Sequence, residues 1–135
     1  MNVKDLIIKH EAIVLHPYID SVGKETIGVG HNLTDNGISH STAMFILDED
    51  IAIAKNELYD IFEDFDELPE DVQAVMIDMM FNLGYSRFSK FKRMIAAIKI
   101  RDFKTAAKEA RDSKWCKQVG SRCDENCSIL LQASQ

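Results

Sequence analysis

The chain has 135 residues, 46% hydrophobic and 28% charged, with a formal net charge of −6. That is enough length and apolar content for one domain with a core, and too ordinary a charge content for disorder. The N-terminal segment holds only a short Leu6-Ile7-Ile8 run among Lys4, Asp5, Lys9 and His10, which lacks the apolar centre of a signal peptide, and no stretch approaches the roughly 18 apolar residues of a membrane helix. The expectation is a chain made and held in the cytoplasm, without membrane insertion.

Asn2, with Asp5 three residues on, predicts the cap of a first helix. Val3, Ile7, Glu11 and Val14 share its face, and Pro17 marks its exit. A half-buried carboxyl at Glu11 would favour the protonated form, which suits an acid. Tyr18-Ile19-Asp20 and Glu25 to Gly30 flank Ser21-Val22-Gly23-Lys24 and predict a hairpin. His31 follows directly, as a structural residue with Asp50 as its candidate partner; a merely buried neutral ring is the alternative. Asn32 to Gly37 has turn chemistry and predicts a loop.

Ser39 predicts the cap of a long helix from about His40 to Phe62. Glu63 to Glu67 follows as a solvated connector. Pro69 opens the next helix, which is apolar nearly all round from Val72 to Leu83 and closes on Gly84. Phe88, Phe91, Ile95 and Ile98 form one helical stripe, and Phe103, Ala106, Ala107 and Ala110 another. Arg101-Asp102 separates the two. Trp115 reads as a packing anchor, with a sugar-facing aromatic as the alternative. A last helix runs through Cys123 to about Leu131. Met76, Met79, Met80 and Met94 suit core filling.

Cys116, Cys123 and Cys127 lie close together near the end of the sequence. The odd count argues against a secreted disulfide framework, and the spacing fits no zinc pattern. Three free thiols is the reading adopted; one disulfide formed after exposure to an oxidising compartment and a metal site are the alternatives. No metal and no cofactor is expected. Charge is segregated: Asp48 to Asp71 holds 11 acids and one Lys, and Tyr85 to Arg122 holds 12 Lys or Arg and three acids. Two solvated faces would account for this, as would a basic lobe that docks a polyanion. Nucleic acid is not expected, because no interleaved aromatic or Gly-rich binding motif accompanies the charge.

The chemistry-bearing residues are Glu11, Asp20 and Thr26, two carboxylates and a hydroxyl on different elements. Glycosidic hydrolysis needs one carboxylic acid to protonate the leaving oxygen and a second carboxylate to help water or the oxocarbenium centre. The pattern is E-x8-D-x5-T followed by I-G-x-G-H. It closely resembles the phage-type lysozymes of the T-even type, in glycoside hydrolase family 24. Phe81 to Gly84 (FNLG), the following F-x-x-F, and Ser113-Lys114-Trp115 with Arg122 extend the resemblance over nearly the whole chain.

The resemblance implies an α+β, mostly helical, two-lobed lysozyme-like fold. Residues 1–39 would be an N-terminal lobe with a small antiparallel sheet, 40–62 a connecting helix, and 63–135 a helical C-terminal lobe, with the cleft between the lobes. It implies Glu11 as general acid, Asp20 as second carboxylate and Thr26 as water-holder, with Gly30, Asn82 and Arg122 binding substrate. The implied activity is a muramidase that cuts the β-1,4 bond between N-acetylmuramic acid and N-acetylglucosamine for host cell lysis, with inversion favoured. The implied enzyme is monomeric, acts on peptidoglycan glycan strands and needs a pore-forming holin to leave the host cytoplasm. Cys123-Asp124-Glu125 after Arg122, where the family often carries more bases, and a short Leu33 to Ser39 loop bear on substrate preference. The competing readings are a catalytically weak peptidoglycan-binding or structural relative and an acidic helical inhibitor.

Overall fold

The computed structural model describes residues 2–135. They form eight α-helices, one short 3₁₀ helix and a three-stranded sheet, an α+β lysozyme-like fold. The chain divides into two compact units, residues 1–46 and 47–135. Among the described residues, no helix is long and apolar enough to cross a membrane.

In the first unit, α1 (Val3–Glu11) starts as expected: the Asn2 side chain accepts from the Asp5 N–H at 2.9 Å. It ends at Glu11, before the exit expected at Pro17. Ala12 has φ 65° and ψ 173°, which turns the chain out of the helix directly after Glu11. Val14 and Pro17 therefore belong to a strand, β1 (Val14–Ile19), and not to the helix or its exit. Pro17 is tolerated because β1 is an edge strand and its pairing is irregular between Val14 and Tyr18, so no ladder bond needs the missing N–H.

β2 (Glu25–Gly28) pairs antiparallel with β1, placing Tyr18 opposite Thr26. The expected strand to Gly30 instead turns at Val29-Gly30, and β3 (His31–Asn32) returns along β2 with Asn32 opposite Thr26. Residues 32–37 form a helical turn, not a loop. This is α2 (Leu33–Asn36), capped by Asn32, whose side chain accepts from the Asp35 N–H at 3.0 Å.

α3 (His40–Ile61) runs through the boundary between the units. Its start is the one expected, with Ser39 Oγ accepting from the Thr42 N–H at 3.1 Å.

In the second unit, Ala54 and Leu58 of α3 join the core. The connector is only partly solvated, because Phe65, in the 3₁₀ helix Phe65–Glu67, is fully buried. α4 (Glu70–Phe88) follows Pro69 and buries Val72, Val75, Met76, Met79, Met80 and Leu83, while Phe81 is exposed. Gly84 breaks its regularity at φ 78°, and one more helical turn follows it. The second expected stripe is that of α6 (Phe103–Arg111); the first is split, with Ile95 and Ile98 on α5 (Lys92–Lys99), Phe91 at its N-cap and Phe88 at the end of α4, and Arg101 at φ 64° lies between α5 and α6. The expected last helix is preceded by another: α7 (Lys114–Val119) and α8 (Ser121–Ala133) meet at Gly120. Cys116 and Cys123 form a disulfide across this junction, correcting the expectation of three free thiols. Cys127 is free and buried, and burial pushes its thiol up.

Candidate active site

Glu11, Asp20, Thr26 and Gly30 all belong to the first unit. Glu11 is the last residue of α1, and the turn at Ala12 follows it. No residue of α1 is buried, and Glu11 is exposed. The partial burial expected from an apolar face is therefore absent, because Val14 lies on β1. What shapes the surroundings of Glu11 is Gly30. A Cβ built at Gly30 would lie 2.8 Å from Glu11 Oε2, 2.9 Å from Cδ and 3.0 Å from Cγ. Gly30 also has φ 65°, so it supplies both a left-handed turn and the room into which the carboxyl packs.

Asp20 organises the hairpin turn. Its Oδ1 accepts from the Val22 N–H at 3.0 Å and the Lys24 N–H at 2.8 Å. Its backbone N–H donates to the Lys24 carbonyl at 2.9 Å, and its carbonyl accepts from the Gly23 N–H at 3.1 Å. Two donors on one oxygen set the orientation of the carboxylate, and Oδ2 has no hydrogen-bond partner among the described residues.

Thr26 is the one buried residue of the first unit among those described, at 3% exposure. It sits on the middle strand, covered by a neighbour on each side. Its hydroxyl donates to the Lys24 carbonyl at 3.0 Å. With that hydrogen committed, Oγ1 offers only its lone pairs to anything that reaches it. The Lys24 backbone is therefore the hub of the site: its N–H holds Asp20, and its carbonyl holds Thr26. The Lys24 ammonium is tied back to Asp35 at 3.1 Å. Sequence reasoning missed this hub because a backbone role leaves no mark on residue identity.

His31 serves structure, but not through the expected carboxylate. Its Nε2 donates to the Gly37 carbonyl, closing the β3–α2 turn. A carbonyl oxygen can only accept, so Nε2 carries the hydrogen.

Asn82 and Arg122 lie in the second unit, and both are engaged there. Asn82 Oδ1 accepts from the Trp115 indole N–H at 2.7 Å, and Trp115, 4% exposed, packs edge-on against Phe91 at 6.2 Å. Trp115 is thus a packing anchor. Arg122 donates from Nη2 and Nε to the two carboxylate oxygens of Asp78 at 2.8 and 2.9 Å, and the buried Asn126 donates to the same carboxylate at 2.9 Å. The Arg122 guanidinium holds the Asp78 carboxyl below its usual range, and the carboxylate raises Arg122 in return. Among the described residues no cluster of His, Cys, Asp and Glu could hold a metal ion.

An acid at the end of a first helix, a carboxylate held in a hairpin turn and a buried hydroxyl on the middle strand of a small sheet, followed by a helical unit, is the architecture of a lysozyme-like peptidoglycan hydrolase. The phage lysozyme family profile matches residues 8–127, a span that takes in all three groups, and the chain belongs to that family. It is 24% identical to the "Probable T4-type lysozyme 2" of Dictyostelium discoideum, in an alignment covering 96% of this chain and 93% of that one. It is 23% identical to the "Probable T4-type lysozyme 1" of the same organism, with the same coverage. It is also 24% identical to the pre-baseplate central spike protein Gp5 of Enterobacteria phage T4, covering 97% of this chain but 28% of that protein.

Proposed function

We propose that this phage lysozyme family member is a muramidase that hydrolyses the β-1,4 bond between N-acetylmuramic acid and N-acetylglucosamine in peptidoglycan. The observation that carries the reading is the Lys24 hub, which fixes a carboxylate and a hydroxyl acceptor through one residue's backbone. Glu11 is the general acid: it gives its proton to the glycosidic oxygen as the bond to the anomeric carbon breaks. Asp20 presents a fixed negative charge that stabilises the oxocarbenium centre and accepts a proton from the attacking water.

Thr26 positions that water. Because Oγ1 can only accept, a water docked on it must donate one hydrogen there, which leaves an oxygen lone pair free to attack. A dedicated water-holder favours single displacement with inversion, since it would be superfluous if Asp20 attacked the sugar itself. Gly30 keeps the space that Glu11 occupies.

The biological reading is host cell lysis by a monomer that waits in the host cytoplasm and reaches the wall through a pore-forming partner. The likeness to a baseplate spike protein supports a second reading, a wall-cutting module carried on a virion.

The test is digestion of purified cell walls. Turbidity should fall, mass spectrometry should find N-acetylmuramic acid at the new reducing ends, and NMR should find the α anomer first. Glu11→Gln should abolish all three. Wall binding without new reducing ends would establish the catalytically weak relative instead, and a β product would overturn inversion.

A further inference from the structure

The segregated positive charge of residues 85–122 has a spatial counterpart that hydrolysis at the first unit does not use. Within the second unit, Arg87, Lys90, Lys92, Arg93 and Lys114 gather around one groove of about 600 Å³, and a single acid, Glu109, lines it with them. All five cations are exposed. None of them forms an ion pair among the described residues, whereas Arg101, Arg111 and Arg122 are each matched with an aspartate. Arg87 donates to the Leu83 and Asn82 carbonyls; the other four cations have no protein acceptor among the described residues. Lys99, Lys104, Lys108 and Lys117 are unpaired among the described residues as well, so five of the nine unpaired cations of this unit gather on one rim.

The floor decides what can lie there. Leu83, Met94 and Trp115 are buried and Phe91 is half-buried, so the floor is apolar. The walls come from α4 to α7 and their links, and helical backbone offers no strand edge for an extended peptide to pair with. A nucleic acid strand would want aromatic faces for successive bases, and of the two aromatic residues that line the groove Trp115 is covered, with its N–H committed to Asn82, and Phe91 is half-buried. A flexible, base-free polyanion asks only for spaced cations and an apolar surface for its carbons.

We propose that this groove docks a polyol-phosphate segment of an anionic cell-wall polymer. Its phosphodiesters pair with the rim of Lys90, Lys92, Arg93 and Lys114, and its polyol carbons rest on the floor. The function is to hold the enzyme on the wall; this role rests on the wall-hydrolase reading, while the binding itself is measured apart from turnover.

The experiment titrates purified poly(glycerol phosphate) into the full chain. Fluorescence of Trp115, the single tryptophan, reports from the groove floor, and anisotropy of labelled polymer reports total binding. The groove variants are K90E/R93E and K92E/K114E. The control is K104E/K108E, an identical charge change beside a different surface depression. Melting curves establish that each variant is folded.

Either groove variant should lose at least about tenfold in affinity, and the control should stay within about twofold. Each groove pair should also flatten the dependence of log K on log salt by about 1.4, as expected for two lost phosphate contacts on a flexible strand. Equal losses in the control and groove variants would reduce the effect to non-specific charge. Binding of poly-L-glutamate or of an oligo-dT strand at least as tight as that of poly(glycerol phosphate) would replace the proposed ligand with an acidic peptide or a nucleic acid. No saturable binding up to about 1 mM phosphate units at low salt, where the electrostatic term is strongest, would overturn the proposal.

Discussion

Glu11 and Gly30 are in contact: the carboxyl of one fills the space that a side chain would take on the other. Gly30→Ala should therefore act at two levels. The methyl must displace Glu11 Oε2, and the backbone must keep φ 65° with a Cβ, at a cost of about 1 kcal/mol or more. Wall-lytic activity per folded molecule should fall at least about tenfold, since displacements near 1 Å are costly in catalysis. Full activity in a folded Gly30→Ala variant would show that the carboxyl does its work from another position.

Thr26 separates packing from chemistry. Thr26→Val keeps the branched shape of a buried strand residue and removes the hydroxyl. It leaves the Lys24 carbonyl without that donor, which should cost about 1 kcal/mol. Turnover should drop about 100-fold if the hydroxyl positions the water, and Thr26→Ser should recover most of it. Rates on purified walls, corrected for the folded fraction, make the comparison. Equal rates for the Val and Ser variants would remove Thr26 from the mechanism.

Ala12 occupies backbone space that is essentially reserved for glycine, with φ 65° and ψ 173°. The chain adopts it because α1 must stop at Glu11 and reverse into β1. Ala12→Gly should stabilise the protein by about 1 kcal/mol, after the extra entropy of a flexible unfolded chain is deducted. A rise of roughly 3 °C in a calorimetric or circular-dichroism melt is the expected reading. A fall would mean that the conformation costs an alanine nothing.

The Asp78–Arg122 pair gives the second unit a dependence on acid. Asp78 has a depressed folded value, chiefly through the Arg122 hydrogen bonds. Its contribution is therefore complete above the unfolded value, about 3.9, and is lost as pH falls through the lower folded one. Asp78→Asn should cost about 1 kcal/mol at neutral pH, a figure kept low because both side chains are about a third exposed. As pH falls below the unfolded value the wild-type carboxyl comes to gain its proton, and the gap between the two urea midpoints should narrow. An unchanged gap across that range would contradict the ion-pair account.

Local chemistry was legible in the residues alone. Asn2 and Ser39 cap the helices they were expected to cap, because a cap is settled within three residues. The stripe of Phe103, Ala106, Ala107 and Ala110 is buried as its spacing predicts. Pro17 misled, because its fixed φ and missing N–H suit an irregular edge strand as well as a helix exit, and only strand pairing distinguishes the two. Residues 32–37 misled for a similar reason: Asn and Asp serve turns and helix caps alike.

The sequence by itself determined the kind of chemistry and its family, because the spacing of Glu11, Asp20, Thr26 and Gly30 and the matching residues further on are properties of the chain order. Tertiary structure decided which group each of them meets. Glu11 is exposed and not half-buried, because the residue expected beside it lies on a strand. Lys24 became the hub through its backbone, Cys116 found Cys123, and Arg122 was drawn to Asp78, 44 positions away. The physical reason is common to all of these. Propensity and capping are fixed by neighbours along the chain, whereas a hydrogen bond or ion pair is fixed by whichever complementary group the folded backbone brings within about 3 Å.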